Sequence, residues 1–592
     1  MLPSPVFRPS KEPGLSDRPK RWHVAEPAPP DYIAALSDLP PVLAQVLYNR
    51  GYRDPAQARA FLEGRWDGPN DPFLLKGMAE AVQTIRRAIR GRQPIAIYGD
   101  YDADGVSATV VLAHALRAIG ATGRIHIPHR YEEGYGVNAA ALRKLAEQGV
   151  RLVITVDCGI SSAREVAEAA EYGLQVIITD HHTPGLELPP AAAIINPRQP
   201  DCPYPFKDLA GVGLAYKLAQ ALLQTEDRGW KTEALGPPSS VPRPLSSDDL
   251  FDLVALGTVA DVVPLRGENR MLVQQGLAQM RRAPRPGLQA LLDIADIPPQ
   301  RITARTLGYI LGPRLNASGR LTHARYSLKL LMAETPAEAR PLARQLNEWN
   351  RQRQHLTLQY TEAARQRVLA EGIAPLLFVA SRDFLSGIVG LVASRLLDEF
   401  YRPAVVVAIE DGQSKGSARS IPGFHIAEAL NACHDLFERH GGHAAAAGFT
   451  IRTERLPELQ ARLRALATAA LGDHDVIRPL RIDAEPALAD LTERLLANLA
   501  RLEPCGQDNP PPLFLTRGLR VLDRRYVGRD AAHLQLRLTD GQEERRAVVF
   551  NHARITAHVP DRVDVVYQLA WNEWGGQGQV EMHICDLRPA QL

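Results

Sequence analysis

Three short apolar runs in the first half of the chain end in acid. PIAIYGD (94–100) leads into Asp100, Asp102 and Asp104 of GDYDADG; RLVITVD (151–157) ends at Asp157; LQVIITD (174–180) ends at Asp180, followed by His181 and His182. One acidic strand end is a common helix cap. Three on one edge of a buried sheet repel each other, and like charges in one site raise the cost of ionising them all. Cations remove that cost. Carboxylates suit Mg²⁺ and Mn²⁺, and an added imidazole tilts the choice toward Mn²⁺. So many acids point to two metals, which together can ionise a water, clamp a phosphoryl oxygen and stabilise the leaving oxygen. The chemistry indicated is metal-dependent phosphoester hydrolysis. DYDADG also fits the opening of an EF-hand loop, but that loop needs a Glu at its twelfth position. Here Val111 stands there, and a strand precedes the loop.

The elements that must position these residues follow from periodicity. The three runs and GRIHIP (123–128) read as buried strands, and Gly105–Ile119, Val137–Gln148 and Ser161–Tyr172 as helices. Strands alternating with helices predict a doubly wound α/β domain with a parallel sheet. Ligands of such sheets bind beyond the carboxyl ends of the strands, where the acids lie. A Pro/Ser/Gly-rich loop is expected at about 225–245, and then a helical stretch, DDLFDLVALGTVADVVPL. Leu342, Leu346, Trp349, Leu356, Tyr360 and Val368 recur at helical spacing and predict one long linking helix over 336–371. A second, smaller α/β unit starts at PLLFVASRD (375–383), with a helix at 387–400, a β run at 403–410 and a glycine-rich end at 441–448. The last block, from about 480, holds short β runs with turn signals, a small barrel or sandwich.

Size and composition set the frame. A chain of 592 residues, 45% hydrophobic, accommodates several cores. No apolar run is long enough to span a membrane, and residues 1–30, rich in Pro and charge, read as a disordered tail without a signal-peptide core. Five scattered cysteines argue against a disulfide framework or a cysteine zinc site and fit a reducing cytosol. The net charge of +2 leaves the partner open; the basic residues are mostly Arg, which a GC-rich genome explains as well as phosphate binding does.

IYGDYDADG, TVDCG, TDHH and GTVADVVPL, in this order, resemble the four motifs of the DHH phosphoesterases. Over residues 75 to 590 the chain is similar to the RecJ branch of that family, single-strand-specific exonucleases. The resemblance implies two divalent ions, Mn²⁺ preferred or Mg²⁺. One would be held by Asp100, Asp102 and Asp157, the other by Asp104, Asp157, His181 and Asp261, with Asp157 bridging. Asp261 is assigned by the resemblance alone. His182 would face the scissile phosphate, with Asp180 orienting the imidazoles; the plain alternative for His182 is a packed core histidine.

The resemblance extends further. IPHR and GYG (127–136) match the segment beside the site, with Arg130 as its basic residue; GPRLNASGR (312–320) matches another, with Arg314 and Arg320. KGSARS (415–420) and GGHAAAAG (441–448) resemble the DHH-associated domain. By resemblance, Arg130, Ser417 and Arg419 would hold a 5′ phosphate, a charge-assisted set, and His443 would touch substrate or be structural. One departure is RDFLSGIVG, where Phe384 and Leu385 replace the Trp-His often found in the family, which puts an imidazole contact there in doubt. The terminal β block resembles an oligonucleotide-binding (OB-like) fold. Arg517, Arg520, Arg524, Arg525 and Arg529 cluster near Tyr526, a pattern suited to a single strand.

These readings divide the chain into a tail and helical segment (1–75), a catalytic domain (76–340), the linking helix (341–371), the DHH-associated domain (372–475) and the barrel (476–592). The function implied is 5′→3′ exonucleolytic hydrolysis of single-stranded DNA in repair and recombination, by a cytoplasmic monomer working with a helicase and a single-strand-binding protein and with no membrane. Competing readings are a DHH phosphodiesterase for short oligonucleotides or cyclic dinucleotides, a non-catalytic replication scaffold, and a duplex nuclease. The linking helix and β block argue against the first, and the complete acid set against the second.

Overall fold

The computed structural model describes residues 19–134, 136–224, 245–472, 476–528, 531–550, 559–572 and 578–590. Residues 225–244 of the expected loop, residues 1–18 of the tail, Tyr135 and Arg529 lie outside them. The chain divides into two compact units, one of residues 59–351 and 502–510, the other of residues 1–58, 352–501 and 511–592.

The tail reading is corrected at its end. Lys20–Val24 is a strand, β1, paired in parallel with Arg478–Ile482. Its order comes from tertiary contacts that composition does not reveal. The Trp22 indole N–H donates to Asp586 Oδ2 at 2.6 Å, the Arg588 guanidinium lies 3.9 Å over the ring, and Lys20 Nζ donates to the Cys585 carbonyl at 2.9 Å.

In residues 59–351, strands β2 (Ile95–Tyr98), β3 (Gly123–His126), β4 (Leu152–Val156), β5 (Gln175–Thr179) and β6 (Ala193–Ile195) form a parallel sheet in the order β3-β2-β4-β5-β6. The expected strands and helices are all present; β6 was not foreseen. Side chains alternate between two cores, as a period of two requires. Ile95, Ile97, Ile154, Val156 and Ile177 join one core with helix Ala103–Ala118, and with helices Gly211–Gln224 and Phe251–Ala260. Ala96, Tyr98, Val153, Val176 and Ile178 join the other with helices Ala139–Glu147 and Ala163–Glu171. Each fully buried Ile or Val contributes about 1.5–3 kcal/mol, and both faces must be covered for an all-parallel sheet to persist. In this order the chain leaves β2 and β4, two neighbours, toward opposite faces. The crevice between their carboxyl ends is the topological switch point at which such sheets bind ligands.

Pro336–Glu371 is a single helix of 36 residues, as its periodicity predicts. In the second unit, β7 (Leu377–Ser381), β8 (Ala404–Ile409), β9 (Gln413–Arg419), β10 (Phe437–Gly442) and β11 (Ala446–Arg452) form a mixed sheet ordered β10-β11-β9-β8-β7. KGSARS belongs to the polar strand β9, which periodicity did not reveal. After β12 (Arg478–Ile482), strands β13 (Phe514–Val527), β14 (His533–Thr539), β15 (Glu544–Val549), β16 (Arg562–Asn572) and β17 (Gln579–Pro589) close into a barrel, deciding between barrel and sandwich. No helix among the described residues is long and apolar enough to cross a membrane.

Candidate metal centre

The acids stand at the switch point. Asp100 follows β2, Asp157 follows β4 and Asp180 follows β5. Asp102 caps helix Ala103–Ala118: its Oδ1 accepts the amides of Asp104 at 2.9 Å and Gly105 at 3.0 Å, leaving its other oxygen for a ligand. Asp104 is buried, and its two oxygens accept the amides of Gly211 (2.8 Å) and Val212 (2.9 Å), at the positive end of helix Gly211–Gln224. Asp261 is the C-cap of helix Phe251–Ala260. Asp157 has a φ of 64°, in the left-handed region that side chains other than glycine seldom enter and that concentrates at functional sites. His181 Nε2 lies 3.2 Å from Asp157 Oδ1 and 3.6 Å from Asp261 Oδ2.

Ligand-capable atoms gather in three overlapping sets, each with all atoms within 4.8 Å of one another: Asp100, Asp102 and Asp157; Asp104, His181 and Asp261; Asp157, His181 and His182. Asp157 belongs to two of them. This many carboxylates in so little solvent resist ionisation. Burial, then the charge of Asp102, pushes Asp100 up to about 8 and Asp104 up to about 7. Burial, then Asp104, holds Asp157 and Asp261 well above the usual carboxylate range. Asp100 Oδ1 is buried and accepts no hydrogen bond from the described residues. A buried carboxylate oxygen without a donor is an expensive arrangement, and a divalent cation satisfies it. The donor set, mostly oxygen with imidazole, fits Mn²⁺ or Mg²⁺.

Asp180 differs from its neighbours. Its Oδ2 accepts the Ile160 amide at 2.9 Å, and its Oδ1 meets His182 Nδ1 at 2.7 Å. Burial would raise Asp180, but the bond to His182 prevails and lowers it; burial would lower His182, but the same bond raises it.

Known proteins share this plan. Residues 94–258 match the family model described as DHH family, N-terminal domain, residues 374–469 the DHHA1 domain and residues 482–586 the RecJ OB domain. The single-stranded-DNA-specific exonuclease RecJ of Bacillus subtilis is 38% identical over 574 residues, 96% of this chain and 70% of that protein. The chain belongs to the RecJ family. RecJ of Thermus thermophilus, solved in complex with Mn²⁺, matches with a TM-score of 0.81 at 32% identity, covering 97% of this chain and 80% of that one. Its complex with Mg²⁺ matches with a TM-score of 0.75 at 30% identity, covering 97% and 79%.

Around the RecJ-type metal cluster, several positioning residues carry no signal in the spacing of acids. Asn316 of GPRLNASGR accepts the Ala103 amide on its Oδ1 at 2.7 Å and so holds the turn between Asp102 and Asp104. A Cβ at Gly211 would fall 2.5 Å from Asp157 Oδ1, and one at Gly257 would fall 2.5 Å from Asp104 Oδ1, so both helices approach the acids only because these residues are glycine. Asn196, buried after β6, donates to the His182 carbonyl at 2.9 Å.

The expected substrate residues fall in several places. The Arg130 guanidinium lies 4.7 Å over the ring of Tyr101, between Asp100 and Asp102 in the chain. The Tyr131 hydroxyl donates to the Arg320 carbonyl. Arg314 is half-buried and donates to Asn347 Oδ1 at 3.1 Å and to the Ile310 carbonyl at 2.7 Å, so its donors serve its own helix pair. In the other unit, Arg419 Nη1 donates to Ser417 Oγ at 3.1 Å on β9. Gly390 of helix Ser386–Phe400 packs on both: a Cβ there would meet Ser417 Oγ at 2.9 Å and Arg419 Nη2 at 3.2 Å. His443 is exposed in the turn between β10 and β11. Phe384 is buried against the Tyr360 ring at 4.9 Å, a core residue, while Leu385 is exposed. On the barrel, Arg517 is engaged by Glu485 and Arg524 by Asp561, each at 2.7 Å; Arg520, Arg525 and Tyr526 are exposed.

Proposed function

We propose that this chain is a metal-dependent exonuclease that hydrolyses phosphodiester bonds of single-stranded DNA from the 5′ end. The observation that carries the reading is the three overlapping ligand groups, two of them containing Asp157, at the switch point of a parallel sheet. On this reading Asp100, Asp102 and Asp157 would hold one divalent ion, and Asp104, Asp157, His181 and Asp261 a second, as the family resemblance implies. When bound, the ions supply Lewis acidity to the phosphoryl oxygens and lower the pKa of the attacking water. The protein's own contribution is positional. The amides of Gly211 and Val212 fix Asp104, and the cap geometry fixes Asp102. Asp180 accepts from His182 Nδ1 and favours the imidazolium form, in which the other ring nitrogen also carries a proton and can donate to a phosphate oxygen.

Arg130, and in the other unit Ser417 and Arg419, are proposed as phosphate contacts, with Arg320 and His443 as further substrate residues; Arg314 is assigned a structural role. Exposed Tyr526 with Arg520 and Arg525 suits stacking and phosphate tracking along a single strand. Five free thiols accord with a reducing cytosol. A monomer acting with a helicase and a single-strand-binding protein belongs to the same reading and rests on the family resemblance. The test is digestion of single-stranded DNA labelled at either end, with Mn²⁺, Mg²⁺ or EDTA. Mononucleotide release from the 5′ end, abolished by EDTA, is expected; equal release from both ends refutes the polarity, and activity in EDTA refutes the metal.

A further inference from the structure

The sheet order arranges charge in a row. Reading across β3-β2-β4-β5-β6, the carboxyl-end loops carry Arg130, then Asp100 to Asp104, then Asp157, then Asp180 to His182, then Arg198. An arginine stands past each edge strand and the acids stand between. Four strand spacings of about 4.8 Å make this row roughly 19 Å long. That exceeds a single phosphodiester and suits several consecutive nucleotides of an extended strand.

Arg198 is held for this place. The buried Asn196 side chain bridges two backbones: its amide donates to the His182 carbonyl at 2.9 Å, and its oxygen accepts the Arg198 amide at 2.8 Å. The backbone of Arg198 is thereby tied to the His181–His182 turn. Its guanidinium is only loosely engaged. It reaches Thr183 Oγ1 and the Lys207 carbonyl at 3.5 Å each and Asp208 Oδ1 at 3.6 Å, all at the outer limit of hydrogen bonding. Asp208 is held more closely by Arg266, at 3.2 Å, and so stays neutralised when Arg198 moves away. A part-exposed guanidinium with fixed backbone and weak side-chain contacts can turn to a phosphate at little cost.

We infer that Arg198 is a phosphate-binding residue, positioned by Asn196 beside the His181–His182 turn, for a backbone phosphate next to the scissile one. This rests on the proposed single-strand nuclease reading and extends it to a strand path running along the row from Arg130 to Arg198.

The test compares wild type, Arg198→Gln, Arg198→Lys and Asp208→Asn on a 20-nucleotide single strand and on a dinucleotide, with Mn²⁺ over a range of salt. Arg198→Gln is expected to lower kcat/KM on the long strand by about tenfold or more. It should also flatten the dependence of log KM on log salt by about 0.7, one phosphate contact on a single strand, and it should spare the dinucleotide. Arg198→Lys should keep the salt slope. Unchanged kcat/KM and slope in Arg198→Gln overturn the inference and leave the nuclease reading standing. So does a loss in Asp208→Asn equal to that in Arg198→Gln, since the arginine would then act through that ion pair. A wild type that cleaves neither substrate overturns both.

Discussion

Asp180 grips His182 through ring and backbone at once: one carboxylate oxygen meets the ring Nδ1 at 2.7 Å and accepts the His182 amide at 3.1 Å. The other oxygen is taken by Ile160. A carboxylate committed in this way is a positioning group, in contrast to Asp100 and Asp157, each of which has a buried oxygen that accepts no hydrogen bond from the described residues.

Asp180→Asn keeps the shape and removes the charge that fixes the imidazole. Partners of this kind are worth roughly 10–100-fold. Steady-state kinetics on single-stranded DNA should show a fall in kcat of that size with Mn²⁺ affinity close to wild type. An equal loss of metal binding would make Asp180 a ligand instead.

Gly211→Ala puts a methyl group against Asp157 Oδ1, at 2.5 Å, in a core that cannot relax easily. Mn²⁺ affinity measured by calorimetry should fall by about tenfold or more. Gly213→Ala is the control. The atom nearest its Cβ would be in the Leu209 side chain, at 3.2 Å, and it should leave metal binding within about twofold.

Asn316→Ala leaves the Ala103 amide without its acceptor. The loss should lower stability by about 1–3 kcal/mol in denaturant unfolding. It should also weaken Mn²⁺ binding, because the turn between Asp102 and Asp104 is loosened.

The acid cluster also ties stability to pH. In the metal-free protein burial pushes Asp100 up to about 8 and Asp104 to about 7, and holds Asp157 and Asp261 well above the usual carboxylate range. Acids raised on folding hold more protons folded than unfolded, so their stabilising share is full below about pH 4 and is lost as pH rises through these values. Bound metal competes with the protons and reverses the trend. Thermal unfolding should therefore show the gap in Tm between Mn²⁺-loaded and EDTA-treated protein widening from pH 6 to pH 8.5. A gap that narrows over this range contradicts the assignment.

Much of this was legible in the sequence, for identifiable reasons. Parallel strands buried on both faces leave continuous apolar runs, so β2, β4 and β5 and the acids after them could be read directly. β6 has only three residues, and β9, QSKGSAR, is polar on one face, so neither carries such a run. Asp261 caps a helix, and only family resemblance singled it out. Asn196, Asn316, Gly211 and Gly257 act through backbone bonds or close approach, which spacing does not encode. The strand at Lys20–Val24 depends on Asp586 and Arg588, more than five hundred residues away.

The most direct test of the account is digestion of 5′-labelled single-stranded DNA by Asp157→Ala in the presence of Mn²⁺. Asp157 is shared between ligand groups and its backbone is held at a φ of 64°. The account predicts a loss of activity of roughly a thousandfold or more, about 4 kcal/mol of transition-state stabilisation, in a protein that still folds. Near-normal digestion by Asp157→Ala would contradict it.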